Sequence, residues 1–154
     1  MELYRDYFKS PVGLLEVVAD EESILEIGLV KEVSPALTNE LTALGMRWLE
    51  SYFAGKPMAL GLPLRPASTP FLEKVREAVM RIDFGECRSY KDIAKIVGSP
   101  KAYRAVAMAM KRNPYMIYVP CHRVVGLGGI GGYTPGVEIK KRLLEFEKCE
   151  SINL

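Results

Sequence analysis

The sequence predicts an α+β protein: a small N-terminal antiparallel sheet with a covering helix, followed by a helical C-terminal domain with a winged-helix-like helix-turn-helix. Three observations predict it. Runs of Val, Ile and Leu of strand length, separated by polar turns, occupy the first third. Apolar stripes at helical spacing, opened by cap residues and prolines, fill the chain after Ser68. The charge also divides, with 6 Lys+Arg against 10 Asp+Glu in residues 1–66 and 15 against 9 in residues 67–154.

In order, Tyr4 to Phe8, Leu14 to Ala19 and Ile24 to Leu29 read as strands. Pro11-Val12-Gly13 and Asp20-Glu21-Glu22-Ser23 form the turns between them. Thr38 is the expected N-cap of a helix whose Leu41, Leu44, Trp48 and Tyr52 share one face, with Gly55 and Pro57 ending it. Lys56 to Ser68, with three prolines and little periodicity, reads as a linker. The expected domains are therefore 1–66, structural, and 67–154, carrying binding and chemistry.

Thr69-Pro70 caps a helix running to about Ile82, on the stripe Phe71, Val75, Ala78, Val79 and Ile82. Ser89 with Asp92 is a capping box for a second helix through Val97, closed by Gly98. Ser99-Pro100 opens a third, to about Arg112, and the two short helices around a tight turn match a helix-turn-helix. Tyr115 to Val119 reads as a short extended apolar run, and Val137 to Lys148 as a last helix.

The composition, 49% apolar and 26% charged over 154 residues, is that of a soluble globular protein. The start MELYRDYFKSP has no basic-then-apolar leader, and no apolar run reaches the roughly 18 residues of a membrane span. A reducing, cytoplasmic setting without a membrane partner is expected. Three cysteines and one histidine with no CxxC spacing do not make a structural zinc site, so neither metal nor cofactor is expected. Between Arg88 and Arg112, seven basic residues (Arg88, Lys91, Lys95, Lys101, Arg104, Lys111, Arg112) face Asp92 alone, a pattern that fits a polyanionic partner and equally a solvated face. The small side chains Ala102, Ala105, Ala107 and Ala109 on the same helix would let its backbone approach a groove closely.

Chemistry concentrates in Pro120-Cys121-His122-Arg123-Val124-Val125. The only histidine follows a cysteine, and imidazole suits withdrawal of a proton from a thiol near neutral pH. On the last helix, Phe146, Ile139, Leu143, Glu147, Lys140 and Leu144 fall in that order across an arc of about 160°. Glu147 therefore sits in an apolar stripe, where a carboxylate is costly unless paired. Cys121, His122 and Glu147 form a nucleophile, base and orienting acid, with the thiol expected below its free pKa of about 8.5. Gly126, Gly128 and Gly131 spell GxGxxG, but no helix follows directly, so the loop reads as a mobile rim and not as a dinucleotide site. Cys87 and Cys149 have no neighbouring base in the sequence and read as packing thiols. A helix-turn-helix regulator leaves the Cys-His-Glu set without purpose, and a cysteine hydrolase leaves the basic helix without one.

Pro-Cys-His-Arg-Val-Val, with Asn113-Pro114 before it and the Gly-rich loop with Tyr133 after it, resembles the O6-alkylguanine-DNA alkyltransferases, or methylated-DNA–protein-cysteine methyltransferases. The likeness runs from about Ser68 to Lys148 and includes Thr69-Pro70-Phe71, Phe84-Gly85-Glu86 and Leu143-Leu144. It implies irreversible, single-turnover transfer of an alkyl group from O6-alkylguanine, and from O4-alkylthymine, in duplex DNA to Cys121. His122 would deprotonate the thiol through a water and Glu147 would orient His122. It further implies minor-groove binding by a monomer and flipping of the damaged nucleotide. Arg104 would fill the vacated stack, and Tyr90 would donate to N3 of the leaving guanine. Asn113 would act as a hinge. Lys101, Ala105, Lys111, Arg112 and Arg123 would join Arg104 and Tyr90 in contacting DNA. The carbonyls of Cys121 and Val124 would accept from the guanine amino group, the Thr134 amide would donate to O6, and Met110, Met116 and Tyr133 would line the alkyl pocket. Met116 and Pro135 depart from commoner Pro and Gly, and the zinc ligands of some relatives are absent.

Overall fold

The computed structural model describes residues 2–149 and divides into two compact units, Met1–Arg65 and Pro66–Leu154. In the first, β1 (Tyr4–Ser10), β2 (Gly13–Ala19) and β3 (Ile24–Leu29) form an antiparallel sheet in that order. Leu15, Val17 and Ala19 of β2 are fully buried, as alternate residues on one face of a covered sheet should be. Helix α1 (Glu40–Phe53) supplies the cover through Trp48, Leu49 and Tyr52. It comes close because Gly45 has no side chain, and a Cβ there would lie 2.8 Å from Val17 Cγ1.

Two local expectations are corrected here. The cap of α1 is Asn39 and not Thr38: Asn39 Oδ1 accepts from the Thr42 amide while Thr42 Oγ1 accepts from the Asn39 amide, both at 2.9 Å. The supposed linker is partly structure, since the Ile24 amide donates to the Pro63 carbonyl at 2.7 Å and Leu62 is buried.

The second unit contains α2 (Pro70–Met80), β4 (Arg88–Ser89), α3 (Tyr90–Ile96), α4 (Tyr103–Lys111), β5 (Val124–Val125) and α5 (Val137–Phe146), with a 3₁₀ turn over Cys121–Arg123. Together the units make a mixed α+β fold. Thr69 caps α2, and Ser89 with Asp92 forms a capping box on α3. β4 and β5 pair in parallel, Arg88 opposite Val124, and α3 packs on both α2 and α4.

Helix α4 opens at Tyr103, later than Ser99-Pro100 suggests. Residues 99–102 form a turn closed by the Ala102 amide on the Ser99 carbonyl at 2.8 Å, and Ala102 has no side-chain acceptor with which to cap the helix. Tyr115, Met116, Ile117 and Val119 are buried as expected, but the segment is a turn and not extended, with the Val119 amide on the Tyr115 carbonyl at 3.1 Å and Ile117 at φ +73°. Asn113 imposes it, its Oδ1 accepting from the Tyr115 amide and its Nδ2 donating to the Tyr115 and Val119 carbonyls. The last helix ends at Phe146, and Glu147 is its C-cap.

Candidate active site

The turn held by Asn113 delivers Cys121 to the start of the 3₁₀ turn, where it is 5% exposed. Its neighbour His122 is fully buried, and Nε2 lies 2.6 Å from Glu147 Oε2. Arg123 grips the same carboxylate, with Nε on Oε1 at 2.7 Å and Nη2 on Oε2 at 3.1 Å, and sends Nη1 to the Ile82 carbonyl at 2.7 Å. The Gly85 amide adds a longer donation to Oε1, 3.4 Å. Burial would raise the Glu147 carboxyl, but the hydrogen bonds and charges of His122 and Arg123 outweigh it and hold it at about 2. Glu147 is thus ionised.

Burial also lowers the His122 pKa, against the opposing pull of Glu147, which keeps the imidazole neutral near pH 7. A neutral ring facing an ionised carboxylate must carry its proton on Nε2. Nδ1 is then a bare acceptor, and it is a buried nitrogen with no hydrogen-bond partner. The Tyr133 hydroxyl is likewise buried without a partner, its ring edge-on to His122 at 6.4 Å. Among the described residues these are the two orphaned buried polar side-chain atoms, and both belong to the site.

Two expectations fail. Cys121 is not a depressed thiol: burial pushes it up to about 12, although Asn113 and the charges of Lys140 and Arg76 act in the other direction. Nor is Arg123 available to phosphate, because it is buried on Glu147 and Ile82. Its position directly after Cys121-His122 in the sequence gave no hint that it would pair with the Glu147 carboxylate.

Sequence reasoning missed Lys140. It is fully buried on α5, with Nζ donating to the Val124 carbonyl at 2.6 Å and the Gly132 carbonyl at 3.0 Å, 5.9 Å above the Tyr90 ring. Burial lowers it to about 8. The signal existed, since Lys140 shares the apolar arc with Glu147. It ties the Gly-rich rim to β5 while leaving the second lone pair of the Val124 carbonyl usable. Gly131, at φ +77°, permits the rim to pass Tyr90, for a Cβ there would lie 2.9 Å from the Tyr90 hydroxyl. That hydroxyl points at the Gly132 carbonyl, 3.5 Å away.

The remaining candidates separate by exposure. Lys101, Arg104, Ala105, Lys111 and Arg112 are exposed on and around α4, Met110 is half-buried, Met116 and Val124 are buried, and Thr134 is exposed with Oγ1 donating to the Lys111 carbonyl at 3.4 Å. Among the described residues no helix is long and apolar enough to cross a membrane.

Residues 70–149 match the family described as 6-O-methylguanine DNA methyltransferase, DNA binding domain, and residues 3–66 match its ribonuclease-like domain. The chain belongs to the 6-O-methylguanine DNA methyltransferase family. Among relatives of this family, the methylated-DNA–protein-cysteine methyltransferase of Methanosarcina acetivorans is 40% identical over 153 residues, covering 94% of this chain and 98% of its own. The constitutive Bacillus subtilis methylated-DNA–protein-cysteine methyltransferase is 42% identical over 152 residues, covering 91% and 92%. Mycobacterium tuberculosis OGT, solved in complex with DNA, superposes with a TM-score of 0.82 at 33% identity, covering 94% of this chain and 93% of that one.

Proposed function

We propose that this chain repairs alkylated DNA by moving the alkyl group of O6-alkylguanine, and of O4-alkylthymine, onto Cys121. The observation that carries the reading is the pairing of an ionised, buried Glu147 with a neutral His122 whose Nδ1 is unpartnered beside a buried thiol. In the resting protein the thiol keeps its proton, because burial holds it at about 12. Transfer therefore requires proton removal as substrate binds: the proton passes, through a water, to His122 Nδ1, and the resulting imidazolium is stabilised by Glu147. The thiolate attacks the alkyl carbon, the S–C bond forms, the C–O6 bond breaks, and its electron pair leaves with guanine. Tyr90 donates to guanine N3. The Thr134 amide donates to O6, and the carbonyls of Cys121 and Val124 accept from the amino group, with Met110, Met116 and Tyr133 around the alkyl group.

Helices α3 and α4 serve as the helix-turn-helix, set in the minor groove of duplex DNA. Lys101, Lys111 and Arg112 meet phosphates, Ala105 lies against the groove, and Arg104 fills the stack vacated by the flipped nucleotide. Residues 67–154 thus carry binding and chemistry, residues 1–66 are structural, and the protein works as a cytoplasmic monomer. Incubation with a duplex carrying labelled O6-methylguanine, followed by peptide mass mapping, tests this. One methyl on Cys121, and none after Cys121→Ser, is expected; label on Cys87 or Cys149 would refute it.

A further inference from the structure

Cys87 and Cys149 are both held as thiols, yet the structure brings them to one place. Cys149 forms a buried cluster with Val125 and Leu144, and Cys87 packs against that cluster. The backbones that carry them are fixed there independently. Cys87 immediately precedes β4, whose Arg88 pairs with Val124, and the Cys149 amide donates to the Leu144 carbonyl at 3.0 Å. Two residues earlier on each strand of chain, the Gly85 amide reaches Glu147 Oε1, and a Cβ on Gly85 would lie 3.3 Å from the Glu147 carbonyl oxygen.

Cys87 differs from Cys121 in what it offers an oxidant. Cys87 is half-buried, the least enclosed of the three thiols. Cys149 is buried in the cluster against which Cys87 packs. Cys121 is enclosed, and burial keeps it protonated.

We propose that Cys87 and Cys149 are a peroxide-reactive dithiol that closes into a disulfide while Cys121 remains a thiol competent for transfer. The Cys87 thiolate attacks one oxygen of hydrogen peroxide and the O–O bond breaks. This leaves a sulfenic acid on Cys87, and the departing hydroxide takes a proton to become water. Cys149 then loses its proton and attacks that sulfur, an S–S bond forms, and the second oxygen leaves as water. The dithiol gives up two electrons and peroxide is reduced to two waters. The bond would clip the chain two residues beyond Glu147 to the start of β4, fastening the C-cap that holds His122.

The full-length protein treated with a small excess of hydrogen peroxide, then alkylated and digested, provides the test. A Cys87–Cys149 linked peptide is expected, with an intact mass lower by about 2 Da, reversal by dithiothreitol, and Cys121 still able to take one methyl from methylated duplex. Linkage through Cys121, linkage between two copies, or no linkage would overturn the proposal. In Cys149→Ala, Cys87 has no resolving partner and should progress to the sulfinic acid, about 32 Da heavier. A loss of about 2 Da from that variant as well would also overturn it.

Discussion

Glu147 meets an imidazole and a guanidinium within one buried pocket, and its pH behaviour follows from that. Its carboxyl stands at about 2 in the fold against 4.5 ordinarily. A depressed carboxyl contributes stability that is complete above the ordinary value and disappears as pH falls through the folded one. The two values correspond to about 3 kcal/mol, lost between about pH 4.5 and pH 2. His122 acts in the same sense higher up, since its lowered pKa makes the unfolded chain the first to take a proton as pH drops below 6.5. Glu147→Gln should therefore cost about 3–5 kcal/mol near pH 7, because it strands Arg123, and much less at pH 3. Urea unfolding of both proteins at the two pH values measures the gap, and an equal gap at both would contradict the assignment. The same substitution should slow methyl transfer by about 10²-fold. Glu147 was legible because a carboxylate in an apolar stripe needs a partner. Arg123 was not, since periodicity says nothing about a residue in a short turn, and the thiol's enclosure is a property of packing that no spacing reveals.

At the scale of elements, the caps written as Ser-x-x-Asp and Thr-Pro were legible because they act within one turn of the chain. Misjudged were segments whose conformation depends on a bond across several residues, as when Asn113 curls Tyr115 to Val119 into a turn. Asn113→Ala should accordingly destabilise the protein by about 1–3 kcal/mol, because the Tyr115 amide loses the acceptor Asn113 gives it and the Tyr115 and Val119 carbonyls each lose a donor, and should slow transfer by displacing Cys121. Thermal unfolding beside a single-turnover assay checks both, and unchanged values would return Asn113 to an incidental role. On α4, neutralising Lys101, Lys111 or Arg112 singly should weaken binding to all sequences and reduce the salt slope by about 1. Arg104→Ala should differ, impairing transfer from duplex more than transfer from the free base. Equal losses on the two substrates would mark it as an ordinary surface residue.

For the molecule as a whole, the α+β architecture was legible from periodicity and charge division, whereas the docking of Leu62 onto the first unit was hidden in a proline-rich stretch without a period. The same enclosure that keeps the thiol protonated makes the reaction final. A thioether at Cys121 has no good leaving group, and His122, already engaged with Glu147, has nothing with which to cleave an S–C bond. An added methyl in a site only 5% exposed should also strain its neighbours, lowering the stability of the alkylated protein by ~1–3 kcal/mol. The most direct measurement is a titration of the protein with excess O6-methylguanine duplex, counting methyl groups transferred per chain. Transfer should stop at one equivalent, all of it on Cys121, whereas product formation continuing beyond one equivalent would contradict the account.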